Sequence, residues 1–173
     1  MTAPALGGII LPMRWPTHQA AALSLALLCH LPPAGIAAAV AGAVVPDVLD
    51  QKLAGLAPGR RLRQKVFNKI HRSTTHWFGW WVALLLWLTC APPHLTPWQQ
   101  PLALGLAIGA LSHVALDMLT PHGVPLLPVT RRWKVAVPLC STGSWQEYLF
   151  LAACLVLGAW LARSGILAFL HRI

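Results

Sequence analysis

Residues 101–119 read PLALGLAIGALSHVALDML, and the reading of this stretch decides the fold. It is apolar over enough residues to cross about 30 Å of hydrocarbon at about 1.5 Å per residue. Its last turns carry His113 and Asp117. Four residues apart on a helix, these side chains lie about 40° apart in projection, so imidazole and carboxylate can point at one spot. An ionised carboxylate near the centre of a membrane helix costs about 2.5–3.5 kcal/mol unless it is paired or metal-bound. The stretch therefore predicts a membrane helix that ends in a polar site.

The rest of the chain agrees with a membrane setting. Of 173 residues, 57% are hydrophobic and 10% charged, far from the roughly 25% charged of soluble proteins. We expect a single membrane-embedded domain over 1–173. The four cysteines have no C-x-x-C spacing and three fall in apolar runs, which points to packing groups and not to disulfides or a thiolate-bound metal. The net charge is +9, yet the four acids are the more informative residues: Asp47, Asp50, Asp117 and Glu147. Each lies at the edge of an apolar segment.

Apolar segments cover 18–29, 34–45, 77–90, 102–119 and 148–170, which predicts an all-α bundle of about five helices. The first two are too short to span alone and are separated by Pro32-Pro33, so they are expected to form a short buried hairpin. A signal peptide is the rival reading of the N-terminus, disfavoured by its weakly charged start and the lack of a prompt small-x-small site. RRLRQKVFNKIHR (60–72) spaces Leu62, Val66 and Ile70 by four, the pattern of an amphipathic helix in the membrane interface. Its flanking segments hold it against anionic lipid headgroups, which disfavours nucleic acid as the partner. Seven Lys or Arg and no acid lie between Gln51 and Arg72, whereas the 91–98 connection has neither; the positive-inside rule puts the basic side in the cytoplasm. Arg163 and Arg172, on the other face, oppose that orientation. No oligomeric state follows.

With successive segments antiparallel, His18 opens the first helix, Asp47 and Asp50 close the second, and His71 and His76 open the third. His113 and Asp117 close the fourth and Glu147 opens the fifth. All then meet at one membrane face. Nitrogen and oxygen donors without thiolate suit zinc, manganese or iron, and several carboxylates allow two ions to be bridged. Other readings stand beside this one. Ser144 and Glu147 form a capping-box pattern, and His113 can be a core histidine bonded to Ser112 or Asp117. Asp47 is harder to dismiss, since a carboxylate at a helix C-terminus opposes the macrodipole. His30, His94 and His171 lack acidic neighbours.

HRSTTH (71–76), PDVLD (46–50), LSHVALDMLTPHGVPLLP (111–128) and GSWQE (143–147) closely resemble the YdjM-like bacterial inner-membrane family, described as membrane-bound metal-dependent hydrolases. The order of these residues is also similar, more distantly, to that of zinc-dependent phospholipase C and single-strand nucleases. The resemblance implies a multi-pass protein of the bacterial inner membrane holding one or two divalent ions, zinc foremost. It passes ligand roles to His18, Asp47, His71 or His76, His113, Asp117 and Glu147, with Asp47, His76 and Asp117 catalytic. Where the family often has P-D-x-D the chain has Pro46-Asp47-Val48-Leu49-Asp50, with Ser73 where glycine is common and His122 at a usually small position.

The expected activity is hydrolysis of an ester or phosphodiester in a lipid or lipid-linked substrate by metal-activated water at the cytoplasmic face. Arg72, Arg131, Arg132 and Lys134 would hold a phosphate headgroup. The alternatives are a non-catalytic protein braced by metal and a metal or proton transporter, whose polar residues would be spread through membrane depth.

Overall fold

The computed structural model describes residues 15–90, 94–128, 130–141 and 143–170, with the side chains of 131 and 165–170 outside that description. Expectations placed on Pro92-Pro93, the Arg131 side chain, His171 and Arg172 fall outside it as well. The elements run α1 (Trp15–Leu28), α2 (Pro33–Gly42), α3 (Val45–Gly55), α4 (Arg60–Ile70), a 3-10 turn (Thr74–His76), α5 (Phe78–Cys90), α6 (Gln99–Met118), β1 (Val124–Leu127), β2 (Thr130–Val135) and α7 (Trp145–Leu170).

The protein is mainly helical, as its sequence predicts. α6 and α7 are each long and apolar enough to cross a membrane, and α2 with α3, bent by 47° at their junction, can form a third span. Leu149, Leu155, Val156 and Trp160 of α7 and Leu86 and Trp87 of α5 are exposed, the surface expected of helices that face lipid.

α1 ends where His30 turns left-handed, with φ +53°. His30 N–H donates to Leu27 O and Leu31 N–H to Ala26 O, the paired bonds of a Schellman motif. Pro33 then opens α2 from the first turn, where a missing N–H costs nothing. His30 thus has a structural task in the hairpin turn.

α2 lies directly against α6. A Cβ at Gly105 would overlap the carbonyl oxygen of Gly35, one at Gly109 that of Ala39, and one at Gly42 the backbone of Leu106. With little hydrophobic drive between helices in lipid, such small residues let two backbones approach closely enough for dispersion to hold them. On the other side of α6, Ala110 and Val114 pack with Trp81 of α5 and Val124 of β1. Ser24 Oγ of α1 donates to Cys154 O of α7 at 2.6 Å, tying the outer helix to the bundle.

Two expectations need correction. Asp47 and Asp50 do not close the second helix; both lie on α3, with Asp47 in its first turn. Pro46 has no N–H to continue the ladder of α2, so the chain breaks before it and restarts. A carboxylate there favours the macrodipole instead of opposing it. The second correction is a short antiparallel hairpin after α6, pairing Val124 with Val135 and Leu127 with Thr130 across an irregular step. Gly123, at φ +62°, leads into it. Beyond β2, Val137 N–H donates to Met118 O and Leu139 N–H to Leu119 O, so this segment supplies donors that the end of α6 lacks.

Candidate metal centre

Four ring nitrogens and carboxylate oxygens meet where α3, the 3-10 turn and the end of α6 converge. His76 Nε2 lies 3.2 Å from His113 Nε2, 3.4 Å from Asp47 Oδ1 and 3.6 Å from Asp117 Oδ2. His113 Nε2 is 3.6 Å from Asp47 Oδ1 and 3.8 Å from Asp117 Oδ2. All four residues are buried.

The backs of these side chains are held by other groups, and this fixes what faces inward. His113 Nδ1–H donates to Ala43 O at 2.6 Å, a carbonyl at the break between α2 and α3, so Pro46 indirectly orients His113. Thr75 donates its single hydroxyl proton to Asp50 Oδ1. Its oxygen therefore accepts from His76 Nδ1–H at 3.0 Å. Both imidazoles then carry their proton on Nδ1, and two bare Nε2 lone pairs face each other across 3.2 Å. That arrangement is repulsive without a cation between them.

The carboxylates are anchored in the same manner. Trp15 Nε1–H donates to Asp47 Oδ2 at 2.9 Å. Arg72 donates through Nη2 to Asp117 Oδ1 and through Nη1 to Thr120 Oγ1, both at 2.7 Å. In each aspartate the second oxygen is left for the histidines. Arg72 sits at φ +56°, in the left-handed region that costs a non-glycine residue about 1–3 kcal/mol. The buried pair with Asp117 offsets that strain. With neutral imidazoles, Asp47, Asp50 and Asp117 against Arg72 leave two uncompensated negative charges, the charge of one divalent ion; buried charge at that level calls for a partner.

Two further histidines flank the cluster. His18 stacks on His113 at 4.0 Å between ring centroids, with Nε2 3.9 Å from Asp117 Oδ1. His71 Nδ1 lies 3.2 Å from Asp50 Oδ2 and 3.7 Å from Asp47 Oδ1. His18 Nδ1 and His71 Nε2 are buried without a hydrogen-bond partner, an arrangement rare enough to need a cause. Ligand atoms of His18, His113 and Asp117, and of Asp47, His71 and His76, each gather within 4.8 Å. These residues fit a metal ion: inward lone pairs, oriented rings and a charge deficit.

The other expected site residues are placed differently. Asp50 belongs to neither three-residue set; it backs His76, His71 and the Arg72 amide. Glu147 is buried and accepts from Thr17 Oγ1 at 3.1 Å and Gly143 N at 2.6 Å, so capping of α7 is part of its task. Arg72, expected at a substrate headgroup, is buried against Asp117. Arg132 and Lys134 lie exposed on β2, His122 and His94 are exposed elsewhere, and the Arg131 side chain is outside the description. Sequence reasoning missed Trp15, Thr75, Thr120 and the Ala43 carbonyl. Thr75 in HRSTTH and Thr120 in LSHVALDMLTPHGVPLLP lay inside motifs the sequence singles out; Trp15 and Ala43 carried no such signal.

Comparison with known proteins agrees with the motifs. The family described as YdjM inner membrane protein matches residues 13–171. The inner membrane protein YdjM of Escherichia coli (strain K12) and that of Shigella flexneri are each 38% identical over 61 residues, which cover 35% of this chain and 31% of either relative. No solved structure matches. The match over residues 13–171 takes in every element from α1 to α7, and the chain belongs to the YdjM inner membrane protein family.

Proposed function

We propose that this protein is a membrane-bound, metal-dependent hydrolase of an ester or phosphodiester in a lipid or lipid-linked substrate, working at the cytoplasmic face. One observation carries the reading. The donors sort into two three-residue sets, His18–His113–Asp117 and Asp47–His71–His76, and three protein donors leave a coordination position for water or substrate, whereas structural sites are closed by four. Zinc fits nitrogen and oxygen donors at such a site; manganese and iron are the other candidates. When bound, ions of this kind polarise a phosphoryl or acyl oxygen and lower the pKa of water toward about 7.

The protein's own residues supply orientation and exclusion of water. Asp50 with Thr75 fixes His76, Ala43 O fixes His113, Trp15 holds Asp47, and Arg72 holds Asp117. Preorganised groups of this kind do not have to reorient as charge develops. The His71 side chain, 16% exposed, is more open than those of Asp47, Asp50, His76 and Asp117, so the route for substrate and protons passes it. The basic 51–72 segment supports the cytoplasmic orientation by the positive-inside rule.

A second reading has its own support. His76, His113, Asp47 and Asp117 are 3.2–3.8 Å apart over the five separations given above. A tetrahedral zinc with bonds of about 2.0–2.1 Å spaces its donors about 3.3 Å apart. A single ion closed by these four would be a brace. Metal content per chain, measured together with chelator-sensitive turnover of phospholipids and generic phosphodiesters in mixed micelles, separates the two. Two ions and turnover abolished by Asp47→Ala support the hydrolase; one ion and no turnover support the brace.

A further inference from the structure

All four acidic side chains of this protein are buried, and among the described residues the ion pairs of the aspartates are with His18, His71, Arg72, His76 and His113. Arg60 and Arg63, outside those pairs, stand in the corner between α3 and α4. A cavity of about 300 Å³ opens there, lined by Gln51 and Ala54 of α3 and by Arg60, Arg63, Gln64 and Phe67 of α4. Arg63 is anchored by Nε to Ala57 O at 2.9 Å, a contact that does not use its two Nη groups. Guanidinium and amide donors around a concave space suit an oxyanion, and phosphate above all, because the guanidinium fork matches its oxygens.

The neighbouring surface indicates where that phosphate comes from. Leu53 of α3, Leu56 just after it and Leu62 of α4 are exposed, and Leu62 belongs to the apolar spacing of α4 that suits the membrane interface. A bilayer that covers these leucines brings phospholipid phosphates to the level of Arg60 and Arg63, whereas free phosphate would engage the arginines alone. A phospholipid satisfies both, and the volume, at the small end for organic ligands, exceeds what a bare phosphate needs. The cavity also lies close to the metal centre. Ala54 is one turn beyond Asp50 on α3, about 6 Å along the axis, and Phe67 of the cavity stacks on His71 at 4.7 Å.

We propose that the α3–α4 cavity binds the phosphate of an anionic phospholipid headgroup, with Arg60 and Arg63 as its principal contacts. The binding stands on the cavity alone; that the bound lipid is also the substrate rests on the hydrolase reading.

The test is calorimetric titration of the detergent-purified full chain with short-chain phosphatidylglycerol, phosphatidylcholine of the same chain length, and inorganic phosphate. Phosphatidylglycerol is expected to saturate a single site more tightly than the other two. In Arg60→Gln/Arg63→Gln its affinity should fall by about tenfold or more per arginine, the cost of losing a hydrogen bond between charged groups, with metal content unchanged. Arg61→Gln/Lys65→Gln removes the same charge from the same helix outside the cavity and should retain most of the affinity. An equal loss in both double variants would reduce the effect to general surface attraction and overturn the site, as would unchanged affinity in the first. Inorganic phosphate or phosphatidylcholine binding as tightly would overturn the anionic lipid as occupant. Binding without hydrolysis would count against the hydrolase reading alone.

Discussion

Two buried stretches of α6, one around Gly105 and Gly109 and one around His113 and Asp117, are opposite in what they ask of their surroundings. Around Gly105 and Gly109 the helix meets α2 through carbonyls and small side chains, a contact complete in itself. Around His113 and Asp117 it meets α1, α3 and the 3-10 turn through ring nitrogens and carboxylates whose charges do not balance. The first stretch is settled by shape, the second by charge. One helix thus holds a self-sufficient packing seam and a site that needs something from outside, and the seam sets the backbone that aims the site.

The contrast can be broken from either end. Asp117→Ala should have the largest effect, about 3–5 kcal/mol, since it strands the buried Arg72 guanidinium. Thermal unfolding in detergent checks this, and chelator should lower the unfolding temperature of the wild type but scarcely that of the variant. Gly105→Ala comes next, at about 1–3 kcal/mol from overpacking against Gly35. Its loss should be the same with and without chelator, because shape alone is at stake. Asp50→Asn should leave the fold nearly intact and lower metal affinity about 10–100-fold, the usual cost of losing a partner behind a ligating histidine; competition with a chromophoric chelator reads it. His94→Ala, at an exposed position, should shift stability by less than about 0.5 kcal/mol and leave metal binding unchanged.

Legibility in the sequence followed the same division. α6 and α7 were readable because a long apolar run has few alternatives in any context. The convergence of His18, His71, His76, His113 and Asp117 was readable because few polar residues interrupt such runs and helix polarity decides which end each occupies; Asp47 reaches the same place from the first turn of α3 and not from the end of α2. Asp50 was visible as a carboxylate, but its place behind His76 was not, since that depends on how α3 restarts after Pro46. The β1–β2 hairpin escaped notice because Pro125 and Pro128 weaken a strand reading of 124–135. Arg72 looked like a surface cation. Its left-handed backbone turns the side chain inward to Asp117 and Thr120, a rotation that no composition or periodicity records.

The central claim is that the buried histidines and aspartates of α1, α3, the 3-10 turn and α6 hold divalent metal. Elemental analysis of desalted, detergent-purified protein tests it most directly, with His113→Ala and Asp117→Ala measured beside the wild type. Transition metal is expected in the wild type, two ions per chain if each donor set is filled and one if His76, His113, Asp47 and Asp117 close a single site, with a fall in both variants. Wild-type protein without metal, or full metal retention in both variants, would contradict it.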